Sequence, residues 1–480
     1  MTPIVVRLLG PENYGLVGLS VTISLFLMFL DQCISPVLSR EMARIGDLEA
    51  RAPEARNLLR TLQIVSIGTA GVVGGAMILA APWIARHGIA TSTLPQEQLV
   101  AAVRLIGAGI AAQWPGMLYS GGFVGLRRQD ILVVVRIVSG SLTALGGVLL
   151  LWIVGPSIEL FLSWIALTSL ATSCTLGVLL WRLIPGAGTS RAGGSRIAPD
   201  VWRFAGGNLL IGLTVSLLTQ APGLIIANTC TLAQLAAYTL SMSLAQQVTN
   251  ILTQPILGSL LPHFTQLSER TDKKELALEY HRWTQIIVVL MLPLAGILVV
   301  FARPLIEVWL GEASPLVGPV SDLLPWVVIG TALNTIVSPL YFLQMAAGWT
   351  RLSVYKNVIG VAILLPALLV LVPQYGPIAA AAAWIAINLG YYLFEVPMVH
   401  RRLLKREMWR WWLVDTLLPV GIVTVIFAGS ALLAPAAVNS WLLLFQAAVT
   451  AVVAAVAVII VLPNLRREAL ALPGRLTGGR

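Results

Sequence analysis

The stretch RTLQIVSIGTAGVVGGAMILAAPWI at residues 60–84 returns at residues 282–306 as RWTQIIVVLMLPLAGILVVFARPLI, without a gap. Seven of the 25 aligned positions are identical, whereas so apolar a composition would give roughly two or three by chance. Further pairs recur 220 to 224 positions apart, namely Tyr14/Tyr238, Gly125/Gly348, Arg128/Arg351, Gly155/Gly376 and Trp164/Trp384. Small loop insertions produce such a drift in spacing. The chain therefore contains one ancestral unit twice.

The composition is that of a membrane protein. Hydrophobic residues make up 57% of the 480 positions, charged residues make up 11%, and the mean hydropathy is +0.86. Apolar runs of about 20 residues or more recur along the chain, and each is long enough to cross the hydrocarbon core as a helix. The alternating ten-residue pattern of a β-barrel is absent, so helices are the expected spanning elements. We predict an all-α, polytopic membrane protein, and repeated halves are typical of transporters.

Thirteen membrane segments are predicted from the apolar runs. They are 14–39, 58–85, 98–125, 131–154, 157–181, 203–228, 233–263, 283–305, 319–345, 354–373, 377–399, 411–434 and 440–463. If alternate connections face the cytoplasm, 26 of the 31 Lys and Arg residues lie on that side. This bias predicts the orientation, and it accounts for the net charge of +10 without a nucleic-acid partner.

The repeat predicts five parts of the chain. They are an N-terminal bundle at 1–183, a cytoplasmic linker at 184–200, a C-terminal bundle at 201–408, two extra helices at 409–464 and a cytoplasmic tail at 465–480. The repeat also predicts that the first helix of the N-terminal bundle is truncated, because the counterpart of the segment at 203–228 falls before Met1. We expect a start further upstream, which would add about 20 to 30 residues and make a fourteenth helix.

Motifs for catalysis and cofactor binding are absent from the sequence. There is no GxxxxGK[ST], DxD, HExxH or GxSxG, and no loop is long enough to hold a catalytic domain. The three cysteines, Cys33, Cys174 and Cys230, form no CxxC pair and have no matching histidine, which argues against a metal site or a disulfide framework. We therefore expect no enzyme activity, no cofactor and no metal.

Polar residues within the predicted segments are the candidate functional residues, because each is costly in a membrane unless it faces protein or water. Gln246, Asn250 and Gln254 are spaced by four and would share one face of a helix. They either line a watery cavity or join helices through hydrogen bonds. Arg104 and Arg136 lie about two turns inside their segments, where they either snorkel to the interface or attract an anionic headgroup.

Acidic residues occur near the ends of several segments. Asp31, Asp322, Glu395 and Asp415 are expected to be solvated or paired there. Asp31 and Glu395 are also candidates to bind a coupling proton or sodium ion.

Several short motifs resemble those of a known family. They are RLLGPENYGLVGLS at 7–20, FLDQC at 29–33, SREMARI at 39–45, LAAYTLSMSLA at 235–245, LLPHFTQLSE at 260–269 and YGPIAAAAAWI at 375–385. They resemble bacterial polysaccharide and O-antigen flippases of the multidrug/oligosaccharidyl-lipid/polysaccharide exporter superfamily. The sequence departs from this family in its truncated first helix and at 220–223, Gln-Ala-Pro-Gly, where relatives often carry an acidic residue.

The resemblance implies two six-helix bundles around a central cavity, plus two C-terminal helices. It implies outward movement of a polyprenyl-diphosphate-linked oligosaccharide through the bacterial inner membrane by alternating access, for surface polysaccharide such as lipopolysaccharide O-antigen or capsule. Polysaccharide polymerases and glycosyltransferases are then candidate partners, in addition to the lipids of the membrane. On this interpretation Arg7, Arg104 and Arg136 would bind the diphosphate. The amides of Gln246, Asn250 and Gln254 would bind sugar hydroxyls.

Two other functions remain open from the sequence. A multidrug or cation antiporter of the same fold would favour buried acidic residues that bind cations, and these are sparse here. A membrane-embedded glycan polymerase or transferase would favour a long periplasmic loop rich in Arg and acidic residues, and the sequence has none.

Overall fold

The computed structural model describes residues 2–45, 51–90, 93–185, 199–269, 273–433 and 439–467, without the side chains of 31–33, 199–208, 210–211, 252 and 254. These described residues are almost entirely helical and contain no strand. The chain forms two compact units, Met1–Ala236 and Ala237–Arg480. The predicted linker at 184–200 lies mostly outside the described residues, and the predicted domain boundaries stay a prediction.

In its described residues, the first unit contains eight α-helices and the beginning of a ninth. They are α1 (Thr2–Leu9), α2 (Pro11–Leu27), α3 (Ser35–Ile45), α4 (Ala52–His87), α5 (Gln96–Gly125), α6 (Gln129–Ile153), α7 (Ile158–Leu183), α8 (Pro199–Thr229) and the first residues of α9 (Leu232–Leu252). A 3₁₀ helix, Met28–Cys33, joins α2 to α3.

The described part of the second unit contains the rest of α9 and ten further α-helices. They are α10 (Gln254–Glu269), α11 (Lys273–Val300), α12 (Ala302–Leu310), α13 (Val317–Ala346), α14 (Thr350–Tyr375), α15 (Pro377–Gly390), α16 (Val396–Arg402), α17 (Met408–Arg410), α18 (Leu418–Leu432) and α19 (Ser440–Val461). Two π-helical segments interrupt this series, Tyr391–Glu395 before α16 and Trp411–Leu417 before α18. We call them the first and the second π segment.

Eleven helical stretches among the described residues are long and apolar enough to cross a membrane. This confirms the predicted all-α polytopic fold. The other two predicted segments correspond to α8, whose first residues have no described side chains, and to α9 with α10.

Besides the two predicted segments that contain the π segments, 377–399 and 411–434, three predicted segments are divided in the structure. The segment predicted at 14–39 contains the 3₁₀ helix, and the segment predicted at 283–305 ends its first helix at Val300 and restarts at Ala302. The segment predicted at 233–263 changes from α9 to α10 at Thr253, two residues before Pro255. Proline has no N–H to continue the helical hydrogen-bond pattern, and this favours a break at such a position. Gln254 therefore begins a different helix from Gln246 and Asn250.

Close helix packing in the first unit depends on glycine. A Cβ atom on Gly74 of α4 would lie 2.6 Å from the Cβ of Ala111 on α5. The missing side chain lets the two helices approach closely, as small residues do in membrane bundles. Helices α3, α4, α5 and α7 share one buried core in this unit, with Leu59, Phe123 and Leu180 fully buried.

The corresponding glycine of the second unit meets a different neighbour. Gly296 aligns with Gly74 in the repeat, and a Cβ atom on it would lie 2.6 Å from Cε2 of Phe427 on α18. Phe427 is 1% exposed and belongs to the core that joins α11 to α18 and α19. The two C-terminal helices therefore pack into the second unit through a position that the repeat preserves.

Candidate functional site

A groove of about 970 Å³ runs along α14 and α15 in the second unit. Its walls are almost entirely apolar, and Lys356 and Glu395 are the charged residues among those that line it. The remaining lining includes Trp326, Tyr355, Ile359, Gly360, Ile363, Leu364, Ala367, Leu371, Tyr375, Ala382, Ala386, Tyr391, Phe394 and Met398. Since Ile359 and Ile363 are 58% and 64% exposed in the protein alone, the groove is open along its side.

Lys356 and Glu395 form an ion pair at one end of this groove. The Nζ atom of Lys356 lies 2.8 Å from both carboxylate oxygens of Glu395, and the side chains are 16% and 3% exposed. The same ammonium group lies 4.6 Å from the ring centroid of Tyr391 and 5.2 Å from that of Tyr341. Aromatic faces attract cations, and this effect grows when water is excluded. The site therefore holds one cation by a carboxylate and two rings.

The first π segment places Glu395 at this site. A π segment contains one more residue per turn than an α-helix, and such insertions are frequent at functional sites. Tyr391 and Glu395 are the first and last residues of the segment, and both reach Lys356. Tyr392 between them is buried and donates a hydrogen bond from its hydroxyl to the carbonyl of Leu333, 3.1 Å away.

The predicted arginines lie on helices of the first unit with exposed side chains: Arg7 on α1, Arg104 on α5 and Arg136 on α6. Arg136 donates a hydrogen bond from Nη2 to the hydroxyl of Ser120 on α5, at 3.0 Å. The exposed side chains of Arg104 and Arg136 can be reached from outside the helices by a ligand or by a lipid headgroup.

The predicted amides and acids are placed as follows. Gln246 and Asn250 share the exposed face of α9, and Gln254 begins α10. Asp31 lies in the 3₁₀ helix between α2 and α3. Glu395 is the one of these residues that lines the groove. The roles assigned to all of them from the sequence stay predictions.

Lys356 was missed as a site residue, because the sequence places it among the basic residues at the cytoplasmic ends of helices. Its position was a usable signal, since it is the seventh residue of α14 and therefore about 9 Å into that helix. The repeat supplies a second signal. With the spacing of the Gly125/Gly348 pair, Arg136 aligns with position 359. That position is three residues from Lys356, so the two lie close together on one face of the helix.

The family model of polysaccharide biosynthesis proteins matches residues 4–314. The chain belongs to this family. No curated protein sequence matches the chain.

Solved structures share the fold of this polysaccharide biosynthesis protein. An inward-facing multidrug resistance MATE family transporter of the MOP superfamily matches with a TM-score of 0.69 at 15% identity, covering 83% of this chain and 93% of the transporter. The lipid II flippase MurJ in an inward closed conformation matches with a TM-score of 0.68 at 11% identity, covering 96% and 98%. A MOP superfamily transporter from Pyrococcus furiosus has a TM-score of 0.52 at 14% identity, covering 82% and 95%. The chain is thus a multi-pass membrane protein with the MOP transporter fold.

Proposed function

We propose that this protein is a flippase that moves a polyprenyl-diphosphate-linked oligosaccharide across the inner membrane of a bacterium. The movement occurs by alternating access and serves the synthesis of a surface polysaccharide. The observation that carries the proposal is the groove along α14 and α15, which combines an apolar wall with a single cation near its end. Membership of the polysaccharide biosynthesis family and the MOP fold support the same conclusion.

The dimensions of the groove suit a lipid chain. Lys356 and Tyr375 both line it and are 19 residues apart on α14, which corresponds to about 28 Å of helix. The hydrocarbon core of a bilayer is about 30 Å thick. A polyprenyl chain lying in the groove would therefore stay at the depth of the acyl chains, while its diphosphate would reach Lys356.

Binding of the diphosphate requires Lys356 to exchange one anion for another. The ammonium group now contacts the Glu395 carboxylate, and a phosphate oxygen would replace that contact while the rings of Tyr341 and Tyr391 stay in place. The released Glu395 carboxylate would then take up a coupling proton or sodium ion. Asp31 is proposed as a second ion-binding residue on the basis of its sequence position alone.

Three arginines predicted from the sequence are proposed as further contacts of the diphosphate. Arg7, Arg104 and Arg136 are cations outside the predicted cytoplasmic connections, and their planar guanidinium groups can bind two phosphate oxygens at once.

The sugars would be held by amides. Gln246, Asn250 and Gln254 offer neutral donors and acceptors to sugar hydroxyls, and the first two are exposed on α9.

A multidrug cation exporter is the competing function, since a MATE transporter shares the fold. Such an exporter needs a buried carboxylate that is available to an organic cation. The buried Glu395 is already neutralised by Lys356, which makes the groove a poor binding site for cations.

The test is complementation of a bacterial strain whose own polysaccharide flippase is deleted. The strain is chosen so that its glycan matches that of the source organism. The protein should restore surface polymer and remove the lipid-linked intermediate that accumulates in the deletion strain. The protein should leave the resistance of the strain to cationic drugs unchanged. Drug resistance without surface polymer, at normal levels of inserted protein, would favour the exporter and overturn the proposal.

A further inference from the structure

A second cluster of charged side chains lies where α11 meets the second π segment. His281 and Asp415 are both fully buried, and Nδ1 of His281 is hydrogen-bonded to Oδ2 of Asp415. On the other side of the ring, Nε2 of His281 lies 3.0 Å from Oε2 of Glu407, which is 30% exposed. Gln285 donates a hydrogen bond from Nε2 to Oδ1 of Asp415 at 2.7 Å.

The hydrogen bonds of this cluster require one proton more than a neutral imidazole with two ionised carboxylates supplies. A neutral imidazole has one N–H and an ionised carboxylate has only acceptors. Both ring nitrogens of His281 face carboxylate oxygens, so a neutral ring between two ionised carboxylates would leave one acceptor against another. One further proton, on the ring or on a carboxyl group, converts both contacts into hydrogen bonds.

The charges of the cluster give the same result. Nη1 of Arg410 lies 3.7 Å from Oε2 of Glu407. With the extra proton, the charges of Arg410 and of the protonated cluster balance. Without it, one negative charge remains uncompensated beside a buried residue, which costs several kcal/mol in a low-dielectric interior.

The titratable groups next to this cluster make contacts of their own. Tyr280 packs against His281 and His400, whose Nδ1 donates to the carbonyl of Val396 at 2.8 Å. Glu279 on α11 pairs with Arg282 and with His263 on α10. Helices α18 and α19, which also pack on α11, contain no titratable side chain.

A single metal ion does not fit this arrangement. The two ring nitrogens of His281 point in opposite directions, so the carboxylates of Asp415 and Glu407 cannot converge on one ion together with the ring. Among the described residues no group of three His, Cys, Asp or Glu side chains is arranged to hold a metal ion.

We propose that His281, Asp415 and Glu407 form a binding site for one proton, and that release of this proton drives a step of the transport cycle. The second part rests on the proposed transport function. Exposure falls from Glu407 to His281 and Asp415, which gives the proton a path from solvent through Nε2 and Nδ1 of the ring. No bond other than those to this proton forms or breaks.

The two π segments connect this site to the groove. The ring of Tyr392 in the first π segment lies 5.4 Å from Trp411 and 5.7 Å from Trp412 in the second. Loss of the proton would weaken the attachment of the second π segment to α11. Trp411 would then move against Tyr392, within the turn that places Glu395 on Lys356.

The first experiment measures the proton itself in the full-length protein in nanodiscs. Nitrogen-15 NMR of the four histidines, with His281→Gln for assignment, and infrared spectra of the carboxyl groups should show an imidazolium or a protonated carboxyl at neutral pH. Glu407→Gln should remove this proton, because an amide offers a neutral ring both a donor and an acceptor. Glu279→Gln, an acid on the same helix outside the cluster, should retain it. A neutral His281 with both carboxylates ionised at neutral pH would overturn the proposal.

The second experiment measures coupling in proteoliposomes that contain a pH-sensitive dye and the lipid-linked oligosaccharide extracted from the deletion strain. Transport by the wild-type protein and by Glu279→Gln should move protons, and Glu407→Gln should move about one proton fewer for each lipid-linked oligosaccharide transported. Transport without proton movement would refute the coupling while leaving the flippase function intact. Failure of the wild-type protein to transport or complement at all would instead refute the flippase function and the coupled step, and the NMR result would still decide whether the proton site exists.

Discussion

Replacing both partners of the ion pair in the groove, Lys356→Met with Glu395→Leu, distinguishes a structural pair from a substrate-binding one. Glu395 is 3% exposed and both of its oxygens accept from Lys356. Lys356→Met alone leaves this buried carboxylate without its partner, which costs about 3–5 kcal/mol. Replacing both partners with apolar side chains is commonly neutral or stabilising. The free energy of unfolding should therefore fall by about 3–5 kcal/mol in the single variant and recover in the double variant.

For the same double variant we expect a loss of transport activity in spite of its recovered stability. If Lys356 binds the diphosphate, the double variant should be as stable as wild type and yet restore no surface polymer in the deletion strain. Lys356→Arg, which keeps the charge, should restore part of it. Stability is measured by steric trapping in bicelles, and activity by the amount of surface polymer at matched protein levels. Normal polymer from the double variant would refute the role of Lys356 in binding.

Three further variants test the remaining contacts. Arg136→Ala removes an exposed cation whose contact with Ser120 is worth only about 1 kcal/mol, so stability should be nearly unchanged. Surface polymer should fall more than tenfold because a proposed contact to the diphosphate is lost. Normal polymer would assign the residue to snorkelling. Gln246→Leu with Asn250→Leu should abolish complementation in an inserted protein, whereas full activity would assign these amides to helix packing. Gly296→Ala should lower the free energy of unfolding by about 1–3 kcal/mol, because the added Cβ meets a buried ring. The control is Gly421→Ala, where nothing lies within 4 Å of the added Cβ. Equal stabilities of the two variants would contradict the packing argument.

The membrane segments could be predicted because their signal is local. Each is an apolar run long enough to span the bilayer, and the internal repeat supports most of them twice. The divisions inside these segments carry a weaker signal. Pro255 and Pro304 follow the changes from α9 to α10 and from α11 to α12, but Pro82, which aligns with Pro304 in the repeat, lies inside the unbroken α4. Tertiary contacts decide such breaks.

The charged sites could be predicted only in part, because their partners are far apart in the sequence. Glu395 is a visible candidate as an acid in an apolar segment, but its partner Lys356 lies 39 positions away and belongs to a helix end that looks cytoplasmic. His281 and Asp415 are 134 positions apart. A π segment shifts the helical register by one residue, so periodicity does not show which face Asp415 occupies.

The two C-terminal helices look separable from the repeat in the sequence, yet their packing predicts that the second unit depends on them. A chain that stops after Arg406 would lose Asp415, the buried partner of His281 and Gln285, and breaking such a buried pair costs about 3–5 kcal/mol. The same truncation would remove Phe427 from Gly296, leaving that face of α11 without its close neighbour. Lipid tails are as apolar as leucine, so the second loss is one of shape-matched packing rather than of burial from water. Together these losses approach the entire stability of a typical domain, about 5–15 kcal/mol.

We therefore expect the truncated protein to insert into the membrane but to aggregate on size-exclusion chromatography in mild detergent. Co-expression of residues 407–480 as a separate fragment should rescue it. A monodisperse truncated protein with normal proteolytic resistance would show that the repeat folds without these helices.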